Sequence, residues 1–211
     1  AIDGPAGSGK STVAKALAKR LGFRYLDTGA MYRSIAVKAL ETGTRLDDAE
    51  ALGRLARDAR IGFGHVPGEP LPTVVTLDGR DVTAAIRTPE ADLAVSPVSA
   101  EPQVREAMVA MQRRIGAEGD FVVEGRDIGT VVFPSAEVKV FLTAAPEERA
   151  RRRSGDRAAA GHESDHAAVL ADIERRDAHD SNRAASPLKP AEDACSVDTT
   201  GMTIGEVVEL I

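Results

Sequence analysis

The segment Gly4-Pro-Ala-Gly-Ser-Gly9-Lys10-Ser11 limits what this chain can be more than any other stretch of it. It has the spacing glycine, four residues, Gly-Lys-Ser/Thr, directly after the apolar fragment Ala1-Ile2-Asp3 and directly before a helical pattern. With glycine near 7% of average composition, a chance match in about 200 residues has a probability of about 1%, and the strand–loop–helix setting lowers it further. Glycines let backbone N–H groups turn inward around a phosphate, and the helix that follows adds unpaired N–H groups and the positive end of its dipole. A cation such as Lys10 opposes that dipole, so its place at a helix start calls for a bound anion. Gly4, Pro5, Ala6, Gly7, Ser8, Gly9, Lys10, Ser11 and Thr12 are therefore expected to hold a nucleoside triphosphate. Lys10 would lie on its β and γ oxygens, and the Ser11 hydroxyl would be a ligand of Mg²⁺.

The rest of the chain alternates strand and helix patterns, which predicts an α/β fold with an open, mostly parallel sheet flanked by helices. Helices are expected at 9–21, from Thr28 to near Gly43, at about 47–60, 101–117, 146–158 and 166–180, and a helix-like stretch begins at Thr203. Strands are expected at Phe23–Leu26, Phe121–Val123, Val138–Thr143 and Cys195–Val197. Residues 61–88 differ: short alternating pieces are separated by Pro67-Gly68, Pro70 and the Asp78-Gly79 turn signal, as in a small inserted β hairpin. Ser154-Gly155 and Ala160-Gly161 are expected to loosen the join between two helices. Both ends stop inside a pattern, so the protein is expected to extend further each way.

Composition narrows the function. The 211 residues carry a net charge of −6 and 3% aromatics without tryptophan, which argues against a general nucleic-acid binder and against a base-stacking platform. No apolar run approaches eighteen residues, and the single Cys195 cannot close an intramolecular disulfide, so a reducing cytoplasm is expected. A monomer is expected as well, although no residue pattern fixes the oligomeric state. Cys195 itself reads as a buried strand residue. His162 and His166 have metal-like spacing but only a distant Cys195 as a further ligand, so they read as a polar join. Of the 27 basic residues 21 are arginine, and eight of these fall between 149 and 183. Biased codon usage accounts for such an excess as readily as anion recognition by guanidinium forks does, and composition does not choose.

A phosphate loop alone admits switches, motors and small-molecule kinases. A GTPase switch would need an Asn-Lys-x-Asp base reader, yet Asn182 is the only asparagine and Arg183 follows it. Three other strings set arginine beside aspartate: Asp27-Thr-Gly-Ala-Met-Tyr32-Arg33, Glu124-Gly-Arg126-Asp127-Ile-Gly-Thr130 and Arg176-Asp-Ala-His-Asp180-Ser-Asn182-Arg183. The first two follow strands, at the carboxyl edge where open α/β sheets bind ligands. Singly, Arg126 and Asp127 read equally well as a surface ion pair, Asp180 and Arg183 as an i,i+3 helix pair, and Tyr32 as core.

Together with the phosphate loop and Ser96 through Arg105, these strings resemble the bacterial cytidylate kinases, and the resemblance covers essentially all 211 residues. It implies a P-loop NTPase fold forming one nucleoside monophosphate kinase domain. Its core would be 1–60 and 89–211, with a monophosphate-binding insert at about 61–88 and a short helical lid at about 149–163. The implied reaction moves the γ-phosphoryl group of ATP to CMP or dCMP with Mg²⁺. By resemblance Ser96, Arg105 and Asp127 hold cytosine, Asp180 with Arg176 holds the ribose, and Tyr32 lines the pocket. Thr28, Arg33, Arg126 and Arg183 would hold the α-phosphate. Lys10, Arg126, Arg183 and Arg153 would act on the transferring group, with Arg149 and Arg153 meeting ATP from the lid. Glu124 stands where many relatives have aspartate, and its role stays open. Cytosine presents a donor at N4 and acceptors at N3 and O2, which a carboxylate or hydroxyl and an arginine match in that order. A kinase for another monophosphate such as UMP, or a nucleotide-binding regulator without turnover, are the competing expectations.

Overall fold

In this computed structural model the described residues are 1–159, 165–183 and 185–211. In chain order the elements are β1 (Ile2–Asp3), α1 (Lys10–Leu21), β2 (Arg24–Asp27), α2 (Thr28–Glu41), α3 (Ala49–Asp58), β3 (Ile61–His65), β4 (Pro72–Leu77), β5 (Arg80–Asp81), α4 (Pro89–Ala100), α5 (Pro102–Gly116), β6 (Phe121–Gly125), β7 (Val140–Thr143), α6 (Pro146–Ala159), α7 (His166–Asn182), β8 (Cys195–Asp198) and α8 (Ile204–Leu210). Single helical turns lie at Ala85–Arg87 and Ile128–Val132. The five-stranded sheet has the order β2-β6-β1-β7-β8, and the β1–β6, β1–β7 and β7–β8 pairings are parallel. The expected α/β class is therefore the observed one. Contacts divide the chain into two compact units, Ala1–Leu17 with Val123–Ile211, and Ala18–Val122.

In the first unit β1 lies between β6 and β7, pairing Ile2 with Glu124 and with Val140. Val140, Phe141 and Leu142 are all buried, which is why this strand reads as a continuous apolar run. Helices α6 and α7 pack on each other through Ala150, Val169 and Ile173. In the second unit α2 packs on α4 and α3 on α5, while β3, β4 and β5 form a separate antiparallel sheet over the segment expected to be a hairpin insert. The Asp78-Gly79 turn has positive φ at both residues, 52° and 82°, as a two-residue hairpin connection requires.

One helix was not foreseen and two local expectations are corrected. Helix α4 was not legible as a helix because Pro97 lies inside it, yet Thr88 caps it by accepting from the Ala91 N–H and Pro89 occupies its first turn. Gly155 does not loosen a join but sits within α6, which runs on to Ala159. Cys195 is exposed, because only Val197 of β8 faces the core. The expected glycine join at 160–161 and His162 lie outside the described residues. Among those described, no helix is long and apolar enough to cross a membrane.

Candidate active site

The phosphate loop is built by holding its carbonyls. Gly4 has φ +148°, and a Cβ there would stand 2.0 Å from the Leu142 carbonyl oxygen, so only glycine lets the chain leave β1 at this angle. The Gly4 carbonyl accepts from Arg126 Nη1 at 3.1 Å, and the Pro5 carbonyl from Ser8 Oγ at 3.0 Å and Lys10 Nζ at 2.6 Å. The Ala6 carbonyl accepts from Arg149 Nη1 at 3.2 Å, and the Ser8 carbonyl from Thr199 Oγ1 at 3.1 Å. In a trans peptide the C=O and N–H point opposite ways. Holding the carbonyls of Ala6 and Ser8 therefore turns the N–H groups of Gly7 and Gly9 to the other side of the loop. The Gly9 carbonyl is taken by the Val13 N–H as α1 begins.

Around the loop the first unit gathers a dense set of buried charges. Lys10 is 7% exposed, and its ammonium is pushed down to about 7 by burial and the nearby Arg126 charge, against the opposing pull of Glu124 and Asp3. Ser11 Oγ donates to Glu124 Oε2 at 2.9 Å, so the end of β6 meets the start of α1 through two oxygen groups. Asp3, buried at the end of β1, accepts from the N–H groups of Ile128 and Gly129 at 2.8 and 2.7 Å. Burial raises its carboxyl above the usual range, and those two N–H groups offset part of the rise. The Arg126-Asp127 stretch is thereby fastened to the strand that enters the phosphate loop. Arg126 Nε donates to Asp180 Oδ2 at 3.0 Å, and Arg183 Nη1 stands 3.8 Å from Asp180 Oδ1. Burial works to raise the Asp180 carboxyl, but the Arg126 charge and hydrogen bond and the charges of Arg183 and Arg176 outweigh it and hold it low.

Helix α6 places its arginines differently from one another. Arg149 is buried: Nε donates to the Ala144 carbonyl at 2.9 Å, Nη1 to Ala6, and Nη2 pairs with Asp177 of α7 at 2.5 Å. Arg153, one turn on, is half-buried. Arg151 and Arg152 pair with Glu148 at 2.7 and 2.8 Å, as expected of a charged helix face. Arg152 also reaches the Thr199 hydroxyl at 2.9 Å and its carbonyl at 2.7 Å.

The second unit assembles the other expected residues among themselves. Asp27 caps α2 by accepting from the Ala30 N–H at 2.9 Å and pairs with Arg33 at 3.0 Å. Thr28 and Tyr32 are buried on the same helix. The Arg105 guanidinium carbon lies 5.6 Å from the Tyr32 ring centroid, and its Nη1 donates to the Ser99 carbonyl at 3.2 Å. Ser96 lies on α4, half-buried, just before Pro97. Reading the sequence alone missed Asp3, Thr199 and Asp177. The usable signal for Asp3 was a carboxylate inside an otherwise buried strand; Thr199 and Asp177 offered none, since their partners are distant backbone and α6.

Comparison with known proteins agrees with this geometry. The family model described as cytidylate kinase matches residues 1–211. A cytidylate kinase of Desulfitobacterium hafniense is 51% identical over 211 residues, covering 100% of this chain and 89% of that protein. One from Carboxydothermus hydrogenoformans is 51% identical over 208 residues, covering 99% and 92%. A solved structure of an uncharacterized protein from Eubacterium ventriosum aligns with TM-score 0.51 over 99% of this chain and 92% of that one. At 11% identity it speaks for the fold alone.

Glu148 gives a pH test of the α6 anchor. Hydrogen bonds from Arg151 and Arg152, with the charge of both, push its carboxyl down to about 2. A carboxyl lower in the folded than in the unfolded chain adds stability above its unfolded pKa, lost as pH falls through the folded one. The stability difference between wild type and Glu148→Gln should therefore be constant above about pH 5.5 and shrink from about pH 4.5 toward 2, as read by urea unfolding across that range.

Proposed function

This chain belongs to the cytidylate kinase family, and we propose that it transfers the γ-phosphoryl group of ATP to CMP, and also to dCMP, giving ADP and the cytidine diphosphate. The observation that carries the reading is the loop Gly4–Ser11, whose Gly4, Pro5, Ala6 and Ser8 carbonyls are engaged by side-chain donors so that the N–H groups that follow them are left for phosphate. The family match over residues 1–211 supports treating the whole chain as one kinase domain with an acceptor-side insert at about 61–88 and a lid at about 149–163, of which 160–163 lie outside the described residues. A net charge of −6 fits small phosphate substrates met in local basic sites in preference to nucleic acid or an anionic membrane surface.

A CMP phosphate oxygen is already anionic near neutral pH and attacks without a general base, so positioning and charge neutralisation are left to the protein. Lys10 is assigned to the β and γ oxygens, with Arg126, Arg183 and Arg153 neutralising the transferring group. Ser96, Arg105 and Asp127 read cytosine, where the Arg105 guanidinium stands over the Tyr32 ring, 5.6 Å from its centroid, and donates to the Ser99 carbonyl, which limits its freedom before the base arrives. Asp180 and Arg176 take the ribose, and Thr28, Arg33, Arg126 and Arg183 the α-phosphate. Three guanidinium groups suit a phosphate of about −1.5 to −2. The Ser11 hydroxyl and the Glu124 carboxylate, 2.9 Å apart, are the hard oxygen donors that Mg²⁺ takes, so the residues fit that ion. Bound there, Mg²⁺ supplies charge neutralisation on the ATP phosphates. Glu124 reaches Ser11 directly, and the methylene it has over aspartate is part of that reach.

An ADP-release assay over CMP, dCMP, UMP, AMP, GMP and TMP should give its highest kcat/KM with a cytidylate, and a preference for any other acceptor overturns the assignment. Asp180→Ala should raise KM for CMP about tenfold or more and KM for ATP by a much smaller factor, since it removes the ribose contacts outright but reaches the loop only through Arg126, which keeps its own bond to the Gly4 carbonyl. Equal shifts in both constants would reject the ribose role.

A further inference from the structure

We propose that Arg149 is a positioning residue that sets the orientation of the Ala6–Gly7 peptide in the phosphate loop, and that it makes no contact with ATP. The proposal rests on the reading of Gly4–Ser11 as the donor loop. The sequence marks Arg149 and Arg153 alike, one turn apart on α6, as lid arginines. The structure separates them.

Arg149 is 4% exposed, and its planar head is fully engaged: Nε on the Ala144 carbonyl, Nη1 on the Ala6 carbonyl and Nη2 on Asp177. A guanidinium offers its donors in a fixed fork, so the three partners define the plane in which it lies. Swinging out to a nucleotide would leave both carbonyls and the Asp177 carboxylate without these bonds in a site closed to water. The backbone of α6 leans on the same place. Gly7 has φ +76°, and a Cβ there would stand 3.0 Å from both Arg149 Cβ and the Arg149 carbonyl oxygen. The loop therefore rests on the first turn of α6 through Gly7 and is pinned to it through Ala6. Because the Ala6 carbonyl is held toward Arg149, the Gly7 N–H of the same peptide is held to the opposite face of the loop.

Asp177 makes this testable, because it pairs with Arg149 and, as an acceptor-only carboxylate, does not itself hold the loop carbonyls. Lysine at 149 keeps the charge but cannot span three acceptors in one plane. Initial-rate kinetics on Arg149→Lys, Asp177→Asn and the double variant are combined with NMR amide exchange at Gly7 in the nucleotide-free protein. Arg149→Lys should raise KM for ATP about ten- to hundredfold, with KM for CMP moving less than threefold, and should speed Gly7 exchange at least tenfold. Asp177→Asn should give a smaller change of the same kind, and the double variant should be no worse than Arg149→Lys alone.

An ATP effect in Arg149→Lys with Gly7 exchange unchanged and Asp177→Asn like wild type would make Arg149 a direct ATP ligand and overturn the proposal. A lowered melting temperature with both KM values intact would overturn it as well. Should Arg149→Lys fail to fold, Asp177→Asn decides alone: unchanged Gly7 exchange and ATP KM reject the role. Titration of wild type with ATP keeps the underlying reading separate, since a Gly7 amide that does not shift on adding ATP rejects the donor-loop assignment itself.

Discussion

A loop that binds phosphate through its backbone must face its N–H groups one way, and that is possible only if its carbonyls are held the other way. Four carbonyls of the loop are held here by four different parts of the sequence. Arg126 holds Gly4, the loop's own Ser8 and Lys10 hold Pro5, Arg149 holds Ala6 and Thr199 holds Ser8. Each holder belongs to an element with a second task. Arg126 also pairs with Asp180, Arg149 with Asp177, and the Thr199 hydroxyl lies 3.0 Å from the Thr143 carbonyl at the end of β7. The loop is thus the point at which β7, the turn after β8, α6 and α7 are tied together, and the first unit is arranged around it.

The same arrangement concentrates charge where water is scarce. Lys10, Asp3, Glu124, Arg149 and Asp180 are all buried, and they persist because each has opposite charge or hydrogen-bond donors close by. Asp3 is answered by two backbone N–H groups, Asp180 by arginines, and Lys10 by Glu124 and Asp3 against the pull of burial. An anion arriving beside Lys10 adds to the side that favours its charged form. A site poised in this way gains most from a ligand that brings several negative oxygens at once, which is what a nucleotide phosphate does.

Much of this was legible in the sequence for physical reasons. Gly4, Gly7 and Gly9 stand where positive φ or close approach admits no side chain, and Lys10 stands where a helix dipole disfavours a cation. The alternation of strands and helices fixed the layer order, and Asp78-Gly79 marked its turn. What stayed hidden were interactions between residues far apart in the chain. Arg149 and Arg153 have the same spacing on α6, and nothing local tells which faces a carbonyl 143 residues away. Helix α4 was obscured because Pro97 breaks the local rule that its cap and first-turn proline obey. Cys195 read as core because a short apolar residue in a strand usually is, whereas β8 turns only Val197 inward.

The division of labour proposed for these residues, Lys10 and its loop for ATP and the aspartate and arginine strings for CMP, is tested most directly by Lys10→Ala. Turnover with ATP and CMP should fall about 10² to 10³-fold, while calorimetric binding of CMP without ATP stays within about threefold of wild type. Turnover that survives the substitution, or CMP binding lost in step with it, would contradict the account.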